Sequence, residues 1–388
     1  MRIHLIYGYY LPSVGGIQID INNLAREFTN KGHEVTIHTS TLMPGKARAE
    51  NQGQERAGTV KRYRAVGLPG FRRLIVDPGI IPGIATAKGD VFHVLSFVPN
   101  LHTIASLFIG SLKKTPLLYT PVFRPGRDQT YSGMLGFLLK NIWDKRLGLW
   151  LRNRADVVIA QTRFEEEAYR MEGLNNVAQI GVGIDSSLEA ITEADIQRFT
   201  NKFGGGSKVL LVVGRIEPRK GHKFLLEAWG RVIERHPEAK LLIAGDDLKR
   251  HPEIEDSLSE FVRHSVISLG VLSQKDLRVA YASVAATVIP SVYEVTSRVV
   301  LEAWAEACPV IVTEGVGLSE DVKEDIGWVV PYGNSQSLSS AISDVFSFLP
   351  AARNKGALSQ KYVREHFSWE KIASQTLELY GKAIQETT

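Results

Sequence analysis

The chain has one cysteine, no long apolar run, and little excess of either charge. A single cysteine, Cys308, excludes an intramolecular disulfide and a cysteine-cluster metal site. No apolar run reaches the roughly 18 residues of a membrane span, and Ile3 to Tyr7 is too short for the apolar region of a signal peptide. A formal charge of +4 is too small to indicate nucleic-acid binding. We therefore expect a cytoplasmic protein.

Two common ligand-binding motifs are also missing. The loop at Gly15 and Gly16 lacks the G-x-G-x-x-G pattern, which disfavours an NAD-dependent oxidoreductase. No Asp-x-Asp pair with supporting carboxylates stands at a strand end, because Asp246 and Asp247 are adjacent and basic residues follow. The sequence therefore predicts no metal site.

A chain of 388 residues is long enough for two domains, each with its own core.

The chain begins with a βαβ pattern. Arg2 to Tyr7 is an apolar strand, a Pro/Gly loop ends at Gly16, an amphipathic helix stops at Gly32, and Glu34 to Thr39 is the next strand. This order predicts a parallel sheet, and the polar stretch Pro44 to Gly58 that follows predicts a loop. The glycine pair lets the backbone approach a phosphate at the helix start, or it only makes a tight turn.

A second strand-loop-helix pattern begins at residue 208. The strand Lys208 to Val213 runs into Gly214, and Arg215 and Lys220 follow in the loop. Two cations at the carboxyl end of a strand can neutralise a departing diphosphate without a metal. Taken alone, such cations are usually surface charges.

The most informative stretch is Ser291 to Thr313. A strand, Ala286 to Ile289, leads into a polar loop, a helix and another strand. The predicted buried residues of the helix are Val299, Val300, Ala303, Trp304 and Ala307. Free N–H groups at such a helix start form an anion site, and Glu294 and Glu302 on either side of it could bind the hydroxyls of an attached sugar. The alternative is that both glutamates are solvated surface charges.

Pro290-Ser291-x-Tyr293-Glu294, followed by Glu302-Ala303 and by Cys308-Pro309-Val310-Ile311, resembles the donor-site signature of family 4 retaining glycosyltransferases. The G-R-x-x-x-x-K-G order at 214–221 matches the same family. The resemblance implies an α/β GT-B fold with two Rossmann-like, doubly wound parallel-sheet domains facing a central cleft. Residues 1–184 would form the acceptor-side domain and 185–368 the nucleotide-sugar domain. The helix 369–388 would cross back to the first domain.

The resemblance also implies roles for individual residues. Glu294 would bind the transferred sugar and Glu302 the ribose, and Arg215 and Lys220 would stabilise the diphosphate. Catalytic roles fall to Glu294, Arg215 and Lys220. The donor-binding set is Gly15, Gly16, Gly214, Arg215, Lys220, Val271, Leu272, Thr296, Ser297, Arg298, Val299 and Glu302. Within that set, Val271 and Leu272 would hold the nucleobase through their backbone, or they are simple apolar turn residues.

The chain departs from the family pattern at two places. The family often has a histidine after the strand Pro116 to Thr120, but this chain continues with Pro121-Val122-Phe123-Arg124. His93 and Arg124 are the candidates for contact with the sugar or the acceptor, although a histidine in an apolar strand is more often a core residue. The family loop often reads Glu-Gly-Phe-Gly, whereas Val295, Thr296, Ser297 and Arg298 follow Glu294 here. This difference bears on the identity of the donor.

A basic segment, Lys113 to Arg154, carries nine cations and two anions. Its part 134–154 contains Trp143 and Trp150 among leucines, a composition typical of a helix at an anionic membrane surface. The alternative is a core-packed helix with a solvated basic face.

The expected activity is a retaining, hexosyltransferase-type, metal-independent transfer. A UDP- or GDP-sugar would be the donor substrate, no cofactor would be needed, and the acceptor would be lipid-linked or a glycan. The enzyme would work in the cytoplasm, peripheral to the inner face of the membrane. Two alternatives are a nucleotide-sugar epimerase on the same fold and a catalytically weak module that binds nucleotide sugar or glycan.

Overall fold

The structure, a computed structural model, describes residues 1–12, 15–42, 52–55, 57–68, 71–96, 101–121, 148–185, 190–204, 206, 208–245, 248–255 and 258–387. The chain forms two compact units. The first contains Met1–Gly183 and Trp369–Thr388, and the second contains Ile184–Ser368.

Unit 1 is built on an eight-stranded sheet in the order β10-β9-β8-β7-β1-β2-β4-β3. Each neighbouring pair is parallel except β3 with β4. A separate antiparallel pair is formed by β5 and β6. The strands are β1 (Arg2–Ile6), β2 (Glu34–Ser40), β3 (Gln52–Glu55), β4 (Gly58–Tyr63), β5 (Val66–Leu68), β6 (Phe71–Val76), β7 (Val91–Leu95), β8 (Leu117–Thr120), β9 (Val157–Ala160) and β10 (Val177–Gln179).

Helices cover this sheet because its strands are apolar along their length and need burial on both faces. The described helices of unit 1 are α1 (Gly16–Asn30), α2 (Ile80–Thr86), α3 (Leu101–Ser111), α4 (Gly148–Arg152), α5 (Arg163–Met171) and the terminal helix α14 (Trp369–Thr387). Buried residues of α1 and α14 pack in one core with β1, and the rings of Phe28 and Tyr380 lie 5.7 Å apart. The terminal helix therefore belongs to the first unit, as the GT-B fold implies.

Unit 2 contains a six-stranded parallel sheet in the order β13-β12-β11-β14-β15-β16. Its strands are β11 (Val209–Gly214), β12 (Lys240–Gly245), β13 (Val266–Gly270), β14 (Ala286–Ile289), β15 (Val310–Thr313) and β16 (Gly327–Val330). Its helices are α6 (Glu193–Phe203), α7 (His222–Arg235), α8 (Pro252–Glu255), α9 (Glu260–Ser265), α10 (Gln274–Ser283), α11 (Arg298–Ala305), α12 (Ser335–Ser347) and α13 (Leu349–His366). The strand order reverses between β11 and β14, and open α/β sheets bind ligands at such a switch point.

Some local expectations were wrong. The stretch 44–58 reads as a polar loop, but Gln52–Glu55 is a strand that pairs antiparallel with β4. Edge strands carry weak sequence signals because one side of their backbone has no partner strand. Ala307 reads as a buried helix residue, yet α11 ends at Ala305 and Ala307 has a φ of 54°. Among the helices of the described ranges, none is both long and apolar enough to cross a membrane.

Candidate functional site

Two loops meet at the switch point of the second sheet. The first follows β11 and contains Arg215 and a 3-10 turn, Pro218–Lys220. The second follows β14 and leads to α11. Val292 N donates to Arg219 O at 2.8 Å. Gly221 has a φ of 71°, and a Cβ there would lie 1.9 Å from Pro290 O. Only glycine therefore fits where the loops touch, which explains the glycine that follows Lys220.

The centre of the site is an ion pair between Lys220 and Glu294. Lys220 Nζ lies 2.7 Å from Glu294 Oε1, and Ser291 Oγ donates to the same oxygen at 2.6 Å. The Lys220 side chain is 16% exposed and the Glu294 side chain 9%. Two predicted site residues, 74 positions apart in sequence, are thus in direct contact.

The backbone of Glu294 is fixed by a third loop, which follows β15. Glu294 N donates to Gly315 O at 3.1 Å, and Gly317 N donates to Glu294 O at 2.9 Å. A Cβ at Gly315 would lie 2.0 Å from Val292 O, and one at Gly317 would lie 1.7 Å from Val295 O. Both glycines are therefore required for the close approach of the two loops.

The start of α11 lies in the same loop as Glu294. Ser297 is the N-cap residue, with extended backbone and no side-chain cap hydrogen bond. Its side chain is fully buried, and its Oγ has no hydrogen-bond partner within the described part of the chain. An unpaired buried hydroxyl is costly. A ligand oxygen at this helix start could accept its hydrogen bond. Thr296, Arg298 and Val299 flank this position and are half-buried.

Glu302 lies one turn into α11, near two partners. The Tyr281 hydroxyl donates to Glu302 Oε2 at 3.1 Å, and Arg298 Nε lies 3.8 Å from Glu302 Oε1. Burial raises the pKa of the Glu302 carboxyl above its ordinary value and outweighs the opposing effect of Arg298. Burial and the nearby Glu302 carboxylate also raise the pKa of Tyr281. The Glu302 side chain is 28% exposed, so it is partly buried rather than a fully solvated helix charge.

Replacing Glu302 with Gln is expected to remove a pH-dependent loss of stability. The folded chain binds this proton more tightly than the unfolded chain, because the folded pKa is raised. By linkage, the contribution of Glu302 to stability falls as pH rises from the unfolded pKa through the raised folded pKa. Gln keeps an acceptor for the Tyr281 hydroxyl. Urea unfolding from about pH 4 to about pH 7 should show the stability of Glu302→Gln, relative to wild type, increasing with pH. A difference that is constant over this range would contradict the prediction.

Arg215 is placed differently from Lys220. Its side chain is 65% exposed, and its Nη1 lies 2.7 Å from Glu217 Oε1. Arg219 binds the other oxygen of Glu217, with Nε at 3.0 Å from Oε2. Gly214 ends β11 with a φ of 145°, and a Cβ there would contact the Lys220 side chain. Arg215 therefore lies in the same loop as Lys220 without joining the Lys220–Glu294 pair.

The remaining candidate of unit 2 is the turn after β13. Val271 is 88% exposed, whereas Leu272 packs at the edge of the core that contains Val300 and Trp304. Gly270 has a φ of 66°, which makes the turn possible. The exposed side chain of Val271 is consistent both with a turn whose backbone contacts the nucleobase and with a simple apolar turn.

In unit 1, Gly15 is the extended N-cap residue of α1, and Gly16 is the first helical residue. A Cβ at Gly15 would meet the side chain of Gln18 at 2.7 Å. Arg124 lies outside the described residues, as does 134–147 of the basic segment. The structure gives no placement for these.

His93 lies in the core of unit 1, as the core alternative predicts. Its Nδ1 is 2.7 Å from the Tyr380 hydroxyl, and its Nε2 is 2.7 Å from Thr120 Oγ1. Burial lowers the pKa of His93 to about 3. The imidazole is therefore neutral, and both its nitrogens have partners in the protein.

Comparison with known proteins finds two glycosyltransferase profiles that match this chain. The profile described as "Glycosyl transferases group 1" matches residues 193–353, and the profile described as "Glycosyltransferase Family 4" matches residues 14–188. The chain belongs to the family 4 glycosyltransferases. The first matched range of this glycosyltransferase contains the Lys220 and Glu294 loops, and the second contains the Gly15–Gly16 turn.

Individual relatives support the assignment. An uncharacterized glycosyltransferase of Methanocaldococcus jannaschii is 36% identical over 182 residues, which cover 46% of this chain and 46% of that protein. The match thus spans about half the length of that relative. The alpha-monoglucosyldiacylglycerol synthase of Streptococcus pneumoniae is 23% identical over 100% of this chain and 85% of its own length. The crystal structure of Anabaena HepE in complex with UDP has a TM-score of 0.76 at 18% identity, over 98% of this chain and 100% of that chain. At 18% identity, the likeness to this crystal structure bears on the fold alone. It confirms the predicted GT-B fold.

Sequence reasoning missed two polar partners of the glutamates. Ser291 donates a hydrogen bond to Glu294, and Tyr281 donates one to Glu302. A serine after a strand and a tyrosine in a helix are common, so neither residue stands out in the sequence as a site residue. The sequence signal for the Ser291 contact is its position three residues before Glu294. Within the described ranges, no cluster of three or more potential metal ligands is present.

Proposed function

We propose that this glycosyltransferase moves a sugar from a nucleotide diphosphate sugar to an acceptor hydroxyl, with retention at the anomeric carbon. The observation that carries the proposal is the Lys220–Glu294 ion pair in the loop that leads to α11, together with the buried Ser297 hydroxyl at the start of that helix, which has no partner within the described residues. A cation and free helix-start N–H groups suit a diphosphate. A carboxylate beside them suits the hydroxyls of the attached sugar. The Anabaena relative of this fold binds UDP.

The proposed reaction breaks the bond between the anomeric carbon and the diphosphate oxygen. Lys220 and the start of α11 stabilise the charge that develops on this oxygen, with Arg215 turning in from Glu217 to add a second cation. The acceptor oxygen forms the new bond from the same face, and its proton passes to the departing phosphate oxygen. This path needs no catalytic histidine, in keeping with the full hydrogen bonding of His93.

Glu294 and Glu302 divide the recognition of the donor. Glu294 accepts hydrogen bonds from the transferred sugar, and Glu302 from the ribose of the nucleotide. The backbone of Val271 and Leu272 contacts the base. Val295 and Ser297 stand where the usual family loop has its two glycines. Thr296 and Arg298, beside them, tune the choice of sugar within the class of UDP- and GDP-hexoses.

The acceptor proposed here is lipid-linked, and the enzyme works from the cytoplasm at the inner face of the membrane. One relative over the full chain is a synthase named for a glucosylated diacylglycerol. The acid-poor composition of the basic segment points the same way.

A screen of thermal stability with UDP-, GDP- and ADP-sugars tests the donor class. Ligand at about a hundred times its Kd stabilises the folded state by about 2.7 kcal/mol, which raises the Tm measurably. The stabilising donor is then incubated with lipid and glycan acceptors, and NMR of the product gives the anomeric configuration. Conversion of the donor without an acceptor would indicate the epimerase, and binding without any conversion would indicate the binding module.

Chelation is expected to leave transfer unchanged. In this proposal the diphosphate charge is neutralised by Lys220, Arg215 and backbone N–H groups, so a divalent cation has no role. Initial rates are measured in EDTA and after addition of magnesium or manganese. Loss of activity in EDTA with recovery in manganese would show that a metal carries the phosphate charge.

A further inference from the structure

We infer that unit 1 has a docking surface for an anionic lipid bilayer at the junction of α3 and α4. Three large apolar side chains are exposed there: Phe108 at 43%, Leu112 at 70% and Trp150 at 44%. Phe108 and Leu112 are four residues apart along α3 and its C-terminal turn, so they share one side of the helix. We call these three residues with Arg154 and Lys114 the α3–α4 patch.

Arg154 joins the two helices of the patch. Its guanidinium carbon lies 4.0 Å from the centre of the Trp150 ring and 5.3 Å from the centre of the Phe108 ring. Its Nη1 donates to Ser111 Oγ at 3.2 Å. The aromatic rings are therefore held at the surface by a cation between them. Aromatic side chains and long cations of this kind favour the interface between lipid headgroups and acyl chains.

The end of α3 is fixed by Lys113. Its Nζ donates to the carbonyl oxygens of Ile84, Ala85 and Ala87 at 3.1, 2.9 and 2.7 Å. Lys113 is thus bound to the C-terminal end of α2, while the adjacent Leu112 and Lys114 are exposed. Leu112 and Lys114 are therefore exposed on either side of a residue that is anchored to the end of α2.

The chain segments that form the patch contain cations but no acidic residue, and Arg152 of α4 pairs with Glu172, Nη2 to Oε2 at 2.7 Å. Residues 101–121 and 148–155 contain no aspartate or glutamate. Asp156, the first acid after the patch, accepts a hydrogen bond from Leu117 N at 2.7 Å. Exposed apolar side chains beside Arg154 and Lys114, in segments that carry no carboxylate of their own, complement an anionic bilayer. The choice of a bilayer over another anionic partner rests on the lipid-linked acceptor of the proposed function.

Sedimentation with vesicles tests the surface on the full chain. We expect wild type to bind vesicles of phosphatidylglycerol and phosphatidylcholine, to bind phosphatidylcholine alone weakly, and to be released as salt shortens the screening length. Leu112→Ser/Lys114→Glu should lower the partition coefficient about tenfold or more. Phe348→Ser/Arg353→Glu makes the same chemical change at exposed residues of unit 2 and should sediment like wild type. Circular dichroism and Tm confirm that both variants are folded.

Three outcomes would overturn the inference. Wild type could remain in the supernatant with anionic vesicles at low salt, or the α3–α4 variant could sediment as wild type does. Alternatively, wild type could be a dimer in analytical ultracentrifugation and the α3–α4 variant a monomer, which would make the patch a contact between copies of the chain. Donor binding is measured without vesicles in the same variants and should not change. If the proposed function is wrong, wild type will not bind the donor, and this result does not depend on whether the protein sediments with vesicles.

Discussion

Replacing Lys220 with Ala is expected to weaken the binding of free nucleoside diphosphate by about ten- to a hundredfold, because one charge-assisted contact contributes roughly 1.5–3 kcal/mol. Lys220 is the cation closest to Glu294, and its side chain is largely buried. The variant also leaves the Glu294 carboxylate without its cation, so a modest fall in Tm is expected as well. Isothermal titration calorimetry with UDP and GDP measures the affinity.

Arg219→Ala is the matched control for this change. Arg219 lies in the same 3-10 turn, but its side chain is 43% exposed and binds Glu217. Its removal should leave both nucleotide affinity and Tm unchanged. Equal affinities in wild type and Lys220→Ala would show that Lys220 does not contact the diphosphate. The same experiment on Arg215→Ala tests whether the exposed arginine joins the bound nucleotide.

Replacing Glu294 with Gln is expected to reduce transfer by about a hundredfold or more, because the sugar then loses charge-assisted hydrogen bonds that a neutral amide makes only weakly. Gln preserves the side-chain shape and an acceptor for Ser291 Oγ. Binding of free UDP or GDP should change little, since these ligands lack the transferred sugar. The comparison of kcat/KM for the donor with Kd for the free nucleotide therefore isolates sugar recognition.

Glu314→Gln is the corresponding control, because Glu314 is exposed in the neighbouring loop after β15. It should retain wild-type transfer. If Glu294→Gln retained transfer as well, the carboxylate would have no part in binding the sugar. If it lost nucleotide binding in proportion to transfer, Glu294 would act through Lys220 instead.

The sequence predicted the sheets more fully than the contacts of the site. Apolar strands followed by glycine loops and amphipathic helices specify βαβ units and hence parallel sheets. The reversal of strand order between β11 and β14 does not follow from repeating that unit, and only the doubly wound fold implied by the family resemblance anticipates it. The family resemblance to the GT-B fold is confirmed. The pattern around Glu294 and Lys220 named residues that the structure brings together. The roles of these residues remain predictions.

Side-chain partners were not predictable in the same way. Glu302 contacts Tyr281 through the packing of two helices, and no periodicity in either helix encodes that contact. The pairing of Arg215 with Glu217 depends on a loop conformation that the spacing of charges does not specify. The short edge strand β3 lacks the apolar alternation that marks a buried strand, so the polar composition of 44–58 was read as a loop.

The tethering of the Glu294 backbone has a consequence for how donor preference can change over evolution. The main-chain N–H and C=O of Glu294 are bonded to Gly315 and Gly317, so the position of its carboxylate does not depend on the side chains that come after it. The half-buried side chains of Thr296 and Arg298 can therefore change in size and charge while the Glu294 backbone stays bonded, whereas the fully buried Ser297 cannot. In the proposed function, substitutions at Thr296 and Arg298 would change sugar preference one at a time and leave Lys220 in place to bind the diphosphate. The glycines that carry the tether cannot vary in this way, because any Cβ at 315 or 317 would collide with the Glu294 loop.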